Sequence, residues 1–266
     1  MNAPVRPIWR HRGLPWLLPI LLLLIWFIIS ETGAIPTYLL PHPRQILVAA
    51  FNYLFAEPGM APYAGRFLSD FYASMLRVLS GFSLAVLIGL PLGILSGRVE
   101  QVSLLLSTSI NGLRAVPGIS LLPLALIWFG IGLKTTIFLV ALAAFFPIYL
   151  NAEAGARQVS PTLLQAGAML GGSPLRGVFS VLFPAAMPHI VTGLRLGMGI
   201  SWSYLVLGEL TGVPNGLGAL IMDARMLGRI DIIVVGIILI AMIGKICDSG
   251  LHLLLQLCFK SARRLA

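Results

Sequence analysis

Long apolar runs, recurring along the chain with short polar segments between them, constrain this sequence more than anything else in it. They cover residues 14–30, 71–96, 116–132, 136–151, 190–210 and 232–255. A hydrocarbon layer about 30 Å thick is crossed by roughly 20 apolar residues in helical form. Inside that layer each segment must satisfy its own backbone N–H and C=O groups, so such runs fold as helices. A soluble chain would need a charged coat. Here 10% of residues are charged and 58% are hydrophobic, too few charges for that coat. The sequence therefore predicts an all-α polytopic membrane protein with about six transmembrane helices.

The net charge of +9 does not indicate a nucleic-acid partner. Basic residues flank apolar runs (Arg6, Arg10 and Arg12 at one end, Lys260, Arg263 and Arg264 at the other) rather than forming a patch with interleaved aromatics. Lys and Arg beside spans mark cytoplasmic segments. Six spans place both termini, Arg98 with Arg114, and Arg157 with Arg176 on the cytoplasmic side. The predicted organisation is a tail over 1–13, a first helix over 14–30 and an outer loop over 31–70. A five-helix core over 71–256 follows, with a cytoplasmic loop at 153–188, and then a basic tail over 257–266. The first run resembles a signal peptide, but it is long and Ser30-Glu31-Thr32 is a poor cleavage site, so it is read as a retained helix. The apolar stretch 102–113 is either an entry to the third span or an interfacial segment.

Glycines fall at four-residue spacing at Gly89, Gly93 and Gly97, and again at Gly193 and Gly197. That spacing lets helix backbones approach closely, and packing within one chain is expected before a dimer seam. Charges inside spans are costly and usually functional. Glu209, near the outer end of the fifth span, is a candidate pathway or gate residue, or a snorkelling structural carboxylate. Arg195, in the first turns of that span, is a second candidate or an interface anchor. Lys245 and Asp248, three apart on one helix face, are expected to neutralise each other. Cys247 and Cys258 read as buried thiols. The four histidines are scattered, and neither His-Glu-x-x-His nor Gly-x-Ser-x-Gly occurs. No catalytic, metal or cofactor-binding residue is assigned. A phosphate-cradling Gly-x-x-x-x-Gly-Lys-Ser/Thr is also missing: Leu133 precedes Lys134, and Gly244-Lys245 lacks its flanking residues.

The segment 153–188 is too long for a tight helix connection and is amphipathic. It reads as a short helix ending at Gly171-Gly172, a turn at Ser173-Pro174, and a second amphipathic helix stopped by Pro184. From the residues alone, a knob that inserts into a partner's groove and a plain connecting loop on the lipid surface fit equally well. Counting from Gln165, a glycine falls at Gly171, an aliphatic residue at Val181 and a proline at Pro184. This resembles the "EAA" loop of ABC-importer permeases, although Gln165, Gly167 and Phe183 stand where that pattern has Glu, Ala and Leu. Arg77-Val78-Leu79-Ser80-Gly81-Phe82, Trp128-Phe129-Gly130-Ile131-Gly132 and Phe145-Phe146-Pro147 resemble other spans of the same family. Ile35-Pro36 with Leu40-Pro41-His42-Pro43 is similar to the outer loop of its nitrate, taurine and aliphatic-sulfonate branch.

The resemblance implies the type I ABC importer permease fold in a bacterial inner membrane, with a cytoplasmic coupling helix. Gln165, Ala166, Gly167, Gly171, Gly172, Val181 and Pro184 would form the ATPase-coupling loop. Cytoplasmic ATP-binding subunits would use ATP and Mg, and this chain would bind neither. A periplasmic or lipid-anchored binding protein would deliver a small solute, a sulfonate, taurine or nitrate-like anion, to a homodimer of permeases embedded in membrane lipid. A membrane-embedded enzyme, a passive channel, and an importer of a non-anionic solute such as a vitamin precursor stand as the alternatives. A channel would want a charged ring or a filter sequence, and neither is visible.

Overall fold

A computed structural model describes residues 14–169 and 173–259, and the regular structure among them is entirely helical. The helices are α1 (Leu14–Thr32), α2 (Pro43–Phe55), α3 (Phe67–Arg98), α4 (Glu100–Ala115), α5 (Leu122–Phe129) and α6 (Leu133–Gln158). They continue with α7 (Pro161–Met169), α8 (Pro174–Gly177), α9 (Phe183–Glu209), α10 (Leu217–Met226) and α11 (Ile230–Cys258). Four segments are long and apolar enough to cross a membrane: α3, α6, α11, and 178–209, where a π-helical turn over Val178–Leu182 runs into α9. At 1.5 Å per residue the 32 residues of α3 reach roughly 48 Å, beyond the hydrocarbon layer on at least one side.

The glycine stripes set the packing. A Cβ at Gly81 would lie 2.6 Å from Val140, one at Gly93 2.5 Å from the Tyr149 carbonyl oxygen, and one at Gly97 2.5 Å from that of Glu153. Numbers rise together on both helices, so α3 and α6 run parallel with their backbones nearly touching. On the other side of α6, Gly193 meets Asn151, Gly197 meets Ile148 and Gly208 meets Thr136, so α9 runs antiparallel. The central α6 is consequently packed on two sides, with Leu139, Val140, Ala144, Ile148, Tyr149 and Ala152 buried. The expectation of glycine packing within one chain holds.

Two parallel neighbours require the chain to return across the bundle between them. The return is made by α4 and α5, which are long and apolar enough to cross only as a pair bent by 86°. The single straight helix expected over 116–132 is replaced by this broken one, because Pro117 forces Val116 into extended conformation (φ −75, ψ 120) and ends α4. The stretch 102–113 thereby belongs to the broken crossing. α5 has eight residues, roughly 12 Å of helix, and does not cross alone.

Three further elements, α1, α2 and α10, meet at the end where α3, α6 and α11 begin. There α2 and α10 lie on α11 through a second cluster of Ile46, Tyr53, Leu220, Ile232 and Val235. α1 is apolar along its length and largely exposed, touching this cluster through Trp26. Its end is held by Glu31, 3.2 Å from His42 at the start of α2.

Candidate functional site

At the end where α3 and α6 finish, α6 stops at Gln158 and α7 begins at Pro161. Arg98 donates from Nη1 to the Val159 carbonyl at 3.1 Å, satisfying a group that a helix C-terminus leaves open. Gln158 Oε1 lies 2.9 Å from His189 Nε2 on α9. Pro161 opens α7 at a position where no amide donor is required. The root of α7 is therefore fixed, yet none of its residues is buried. Leu164 rests on the core, whereas Met169 is 87% exposed and Leu163 about half exposed. Gln165 and Ala166 are exposed. A Cβ on Gly167 would lie 3.2 Å from Val181, so these two residues meet across the turn. Gly171 and Gly172 lie outside the described residues. Pro184 does not stop a helix as expected. It sits in the first turn of α9, directly after the π-helical turn of Val178–Leu182, and helical winding runs through it from Val178 to Glu209.

At the opposite end a buried polar junction ties α2, α3 and α9 to the start of α10. Ser74 donates to both Glu209 oxygens at 2.8 and 2.9 Å, and Arg77 Nη1 donates to Oε1 at 2.6 Å and to the Asn215 carbonyl. The first backbone amides of α10, which a helix cannot satisfy internally, turn to the same groups. Gly216 N–H donates to Asp70 at 3.0 Å, Leu217 N–H to Ser74 at 2.9 Å and Gly218 N–H to Glu209 at 2.8 Å. Carboxylates also complement the positive end of the helix dipole. Tyr53 donates to the other Asp70 oxygen at 3.0 Å, and its phenol is pushed well above the ordinary tyrosine range by burial and then by the Asp70 charge. Asp70, Ser74 and Glu209 are fully buried.

The structure brings together residues that the sequence reading left apart. Asp70 was expected in the outer loop and Arg77 only as part of a motif, whereas Asp70, Ser74 and Arg77 form one stripe at i, i+4 and i+7 on α3. That polar stripe on an apolar helix is a signal the sequence does contain. Arg195 lies in the middle of the 178–209 span and makes a two-pronged contact with Asp248 at 3.0 and 2.9 Å. The expected Lys245–Asp248 neutralisation is secondary: that pair is 3.8 Å apart and Lys245 is 74% exposed. Arg195 and Glu209 are not neighbours in a common site. Among the described residues no group of three or more His, Cys, Asp or Glu could hold a metal.

A multi-pass helical membrane protein, with a short helix anchored at one end and Leu163 and Met169 outward, is the class these observations define. Residues 89–256 match the family of binding-protein-dependent transport system inner membrane components. The chain is 35% identical over 233 residues to the taurine transport system permease protein TauC of Escherichia coli (strain K12), covering 88% of this chain and 84% of that one. It is 33% identical to the nitrate import permease protein NrtB of Synechocystis sp., over 85% of this chain and 82% of that one. It is 37% identical to a Bacillus subtilis protein described as an aliphatic sulfonates transport permease, SsuC, over 90% of this chain and 83% of that one. Its fold matches the inward-facing MetNI methionine ABC transporter with TM-score 0.57 at 22% identity, over 71% of this chain and 98% of the other. The chain belongs to the binding-protein-dependent transport system inner membrane components: it is the permease subunit of an ABC importer. ATP hydrolysis in such importers lies in separate ATP-binding subunits, and a solute-binding protein supplies the solute.

Proposed function

We propose that this permease passes a small oxyanion, a sulfonate, taurine or nitrate, from its binding protein into the cytoplasm. The observation that carries this reading is the relatives' shared chemistry: the taurine, sulfonate and nitrate permeases all name solutes with a compact, multi-oxygen anionic head. On this reading α7 and the glycines after it dock into a groove of the ATP-binding subunit, and both termini lie on that same cytoplasmic side. Glu209 serves as a brace for the outer end rather than a solute contact. Its oxygens are taken up by Ser74, Arg77 and Gly218. Arg195 borders the path, on a groove of about 860 Å³ between α9 and α11. Two copies of the chain face each other. In support, α9 carries an uncovered stripe of Thr192, Leu196, Gly199, Ile200 and Ser203 beside that groove.

The test is uptake into proteoliposomes holding the permease, its ATP-binding subunit and its binding protein. ATP-dependent accumulation of taurine, ethanesulfonate or nitrate is expected. Accumulation of none of them, with a non-anionic solute imported instead, would overturn the reading.

A further inference from the structure

Where α4 breaks at Pro117, it leaves Arg114, an exposed residue, on the wall of an open cavity of about 450 Å³ lined by the bend, α6 and α9. Its walls on α6 are Leu142, Phe146, Pro147 and Leu150, the middle turns of a helix that runs from Leu133 to Gln158. Arg114 was expected in a cytoplasmic loop. The break instead sets it at mid-depth in the bundle, where a charge is expensive unless it faces an acid or a water-filled cavity.

Three other cations on the spanning helices have acids. Arg77 pairs with Glu209 at 2.6 Å, and Arg195 and Lys245 share Asp248. Arg114 has neither an ion pair nor a hydrogen-bond partner among the described residues. Beside it stands a second uncommitted polar group, the Tyr204 hydroxyl. This hydroxyl packs over Gly118, where an added Cβ would come within 2.5 Å of its oxygen. The remaining wall is apolar, and low-dielectric walls around a single cation concentrate its field. The volume suits a small solute, and a guanidinium offers paired N–H donors that match two oxygens of one oxyanion.

We infer that Arg114, with Tyr204, forms an oxyanion-binding station on the translocation path of this permease. The inference rests on the oxyanion reading above and adds to it the place and residue of contact. Among the described residues no other unpaired positive charge lines that cavity. Arg114 makes the path passable to an anion that apolar walls alone would exclude.

The experiment compares wild type with Arg114→Gln, Arg114→Lys and Tyr204→Phe. Each is reconstituted with its ATP-binding subunit and binding protein and assayed with taurine, ethanesulfonate and nitrate. Assembly is checked by co-purification of the ATP-binding subunit and by the thermal midpoint of the complex. Removing the only cation at the station should slow uptake about tenfold or more in Arg114→Gln, while Arg114→Lys should stay within about threefold of wild type. Tyr204→Phe should raise the apparent KM, with assembly intact. Uptake by assembled Arg114→Gln at the wild-type rate would overturn the station and leave the oxyanion reading standing. A wild-type complex that imports none of the three anions would overturn both. Should Arg114→Gln and Arg114→Lys fail together to assemble, the residue is structural and the station is likewise overturned.

Discussion

Ser74, Arg77 and the amide of Gly218 converge on Glu209, and the Gly216 backbone lies directly against the same carboxylate. A Cβ at Gly216 would stand 2.5 Å from the Glu209 carboxyl carbon, and its φ of +142 is one that L side chains rarely adopt. Both facts require glycine. A buried ion pair of this kind is not strong evidence of net stability, because desolvation offsets much of the attraction. Removing one partner is different, since it strands the other. Arg77→Met should therefore cost on the order of 3–5 kcal/mol, read as a lowered thermal unfolding midpoint of the purified permease. The double variant Arg77→Met/Glu209→Met should fall by less than the sum of the two single variants. Additive losses would show that the two side chains act independently.

Among the elements, α7 is a helix of nine residues with none of them buried within the chain. Its start is fixed by Pro161 and by the contacts of Arg98 and His189 around Gln158 and Val159, while Leu163 and Met169 point away from the core. A helix held at its root and uncovered on its apolar side suits a partner's groove. Leu163→Glu/Met169→Glu should leave membrane insertion and the thermal midpoint unchanged. Co-purification of the ATP-binding subunit should be lost, and uptake should fall about tenfold or more, because burying two charges at that contact is costly. Full retention of the subunit would remove α7 from the coupling role. The four-residue glycine spacing of α3 and α9 was legible in the sequence because close approach admits only a small residue wherever it occurs. The role of Pro184 was not, since a proline stops a helix from inside but starts one from its first turn. Which of the two holds depends on where the π-helical turn of Val178–Leu182 delivers the chain.

For the whole molecule, helix direction supplies what span lengths do not. With α3 parallel to α6, α9 antiparallel and α11 crossing back, the broken α4–α5 pair must count as one crossing. The ends of α1 and α2 lie beside the start of α11. The uncovered α9 stripe lies between the Arg195 groove and the Arg114 cavity, and Ile200 lines both. A closed two-fold arrangement would bury that stripe against its copy and enclose both hollows between the subunits. Native mass spectrometry of the complex purified through a tag on this chain should show two copies with two ATP-binding subunits. A single copy beside a different membrane protein would overturn the homodimer.

The sequence by itself determined that the chain lives in lipid, because a run of apolar residues as long as the hydrocarbon layer has few other stable fates. It also determined which helix faces could touch, through glycine spacing, and it carried the order of motifs that resembles the importer permeases. Only the tertiary structure decided the destinations of the charges. Asp70 moved from a loop to a buried junction, Asp248 took Arg195 rather than its own helical neighbour Lys245, and Arg114 moved from a cytoplasmic turn to the wall of the cavity at the α4–α5 break. Apolar burial is written in local composition. The partner of a charged side chain is set by which helices run side by side and where one of them breaks. That is a property of the packed bundle, which no single segment encodes.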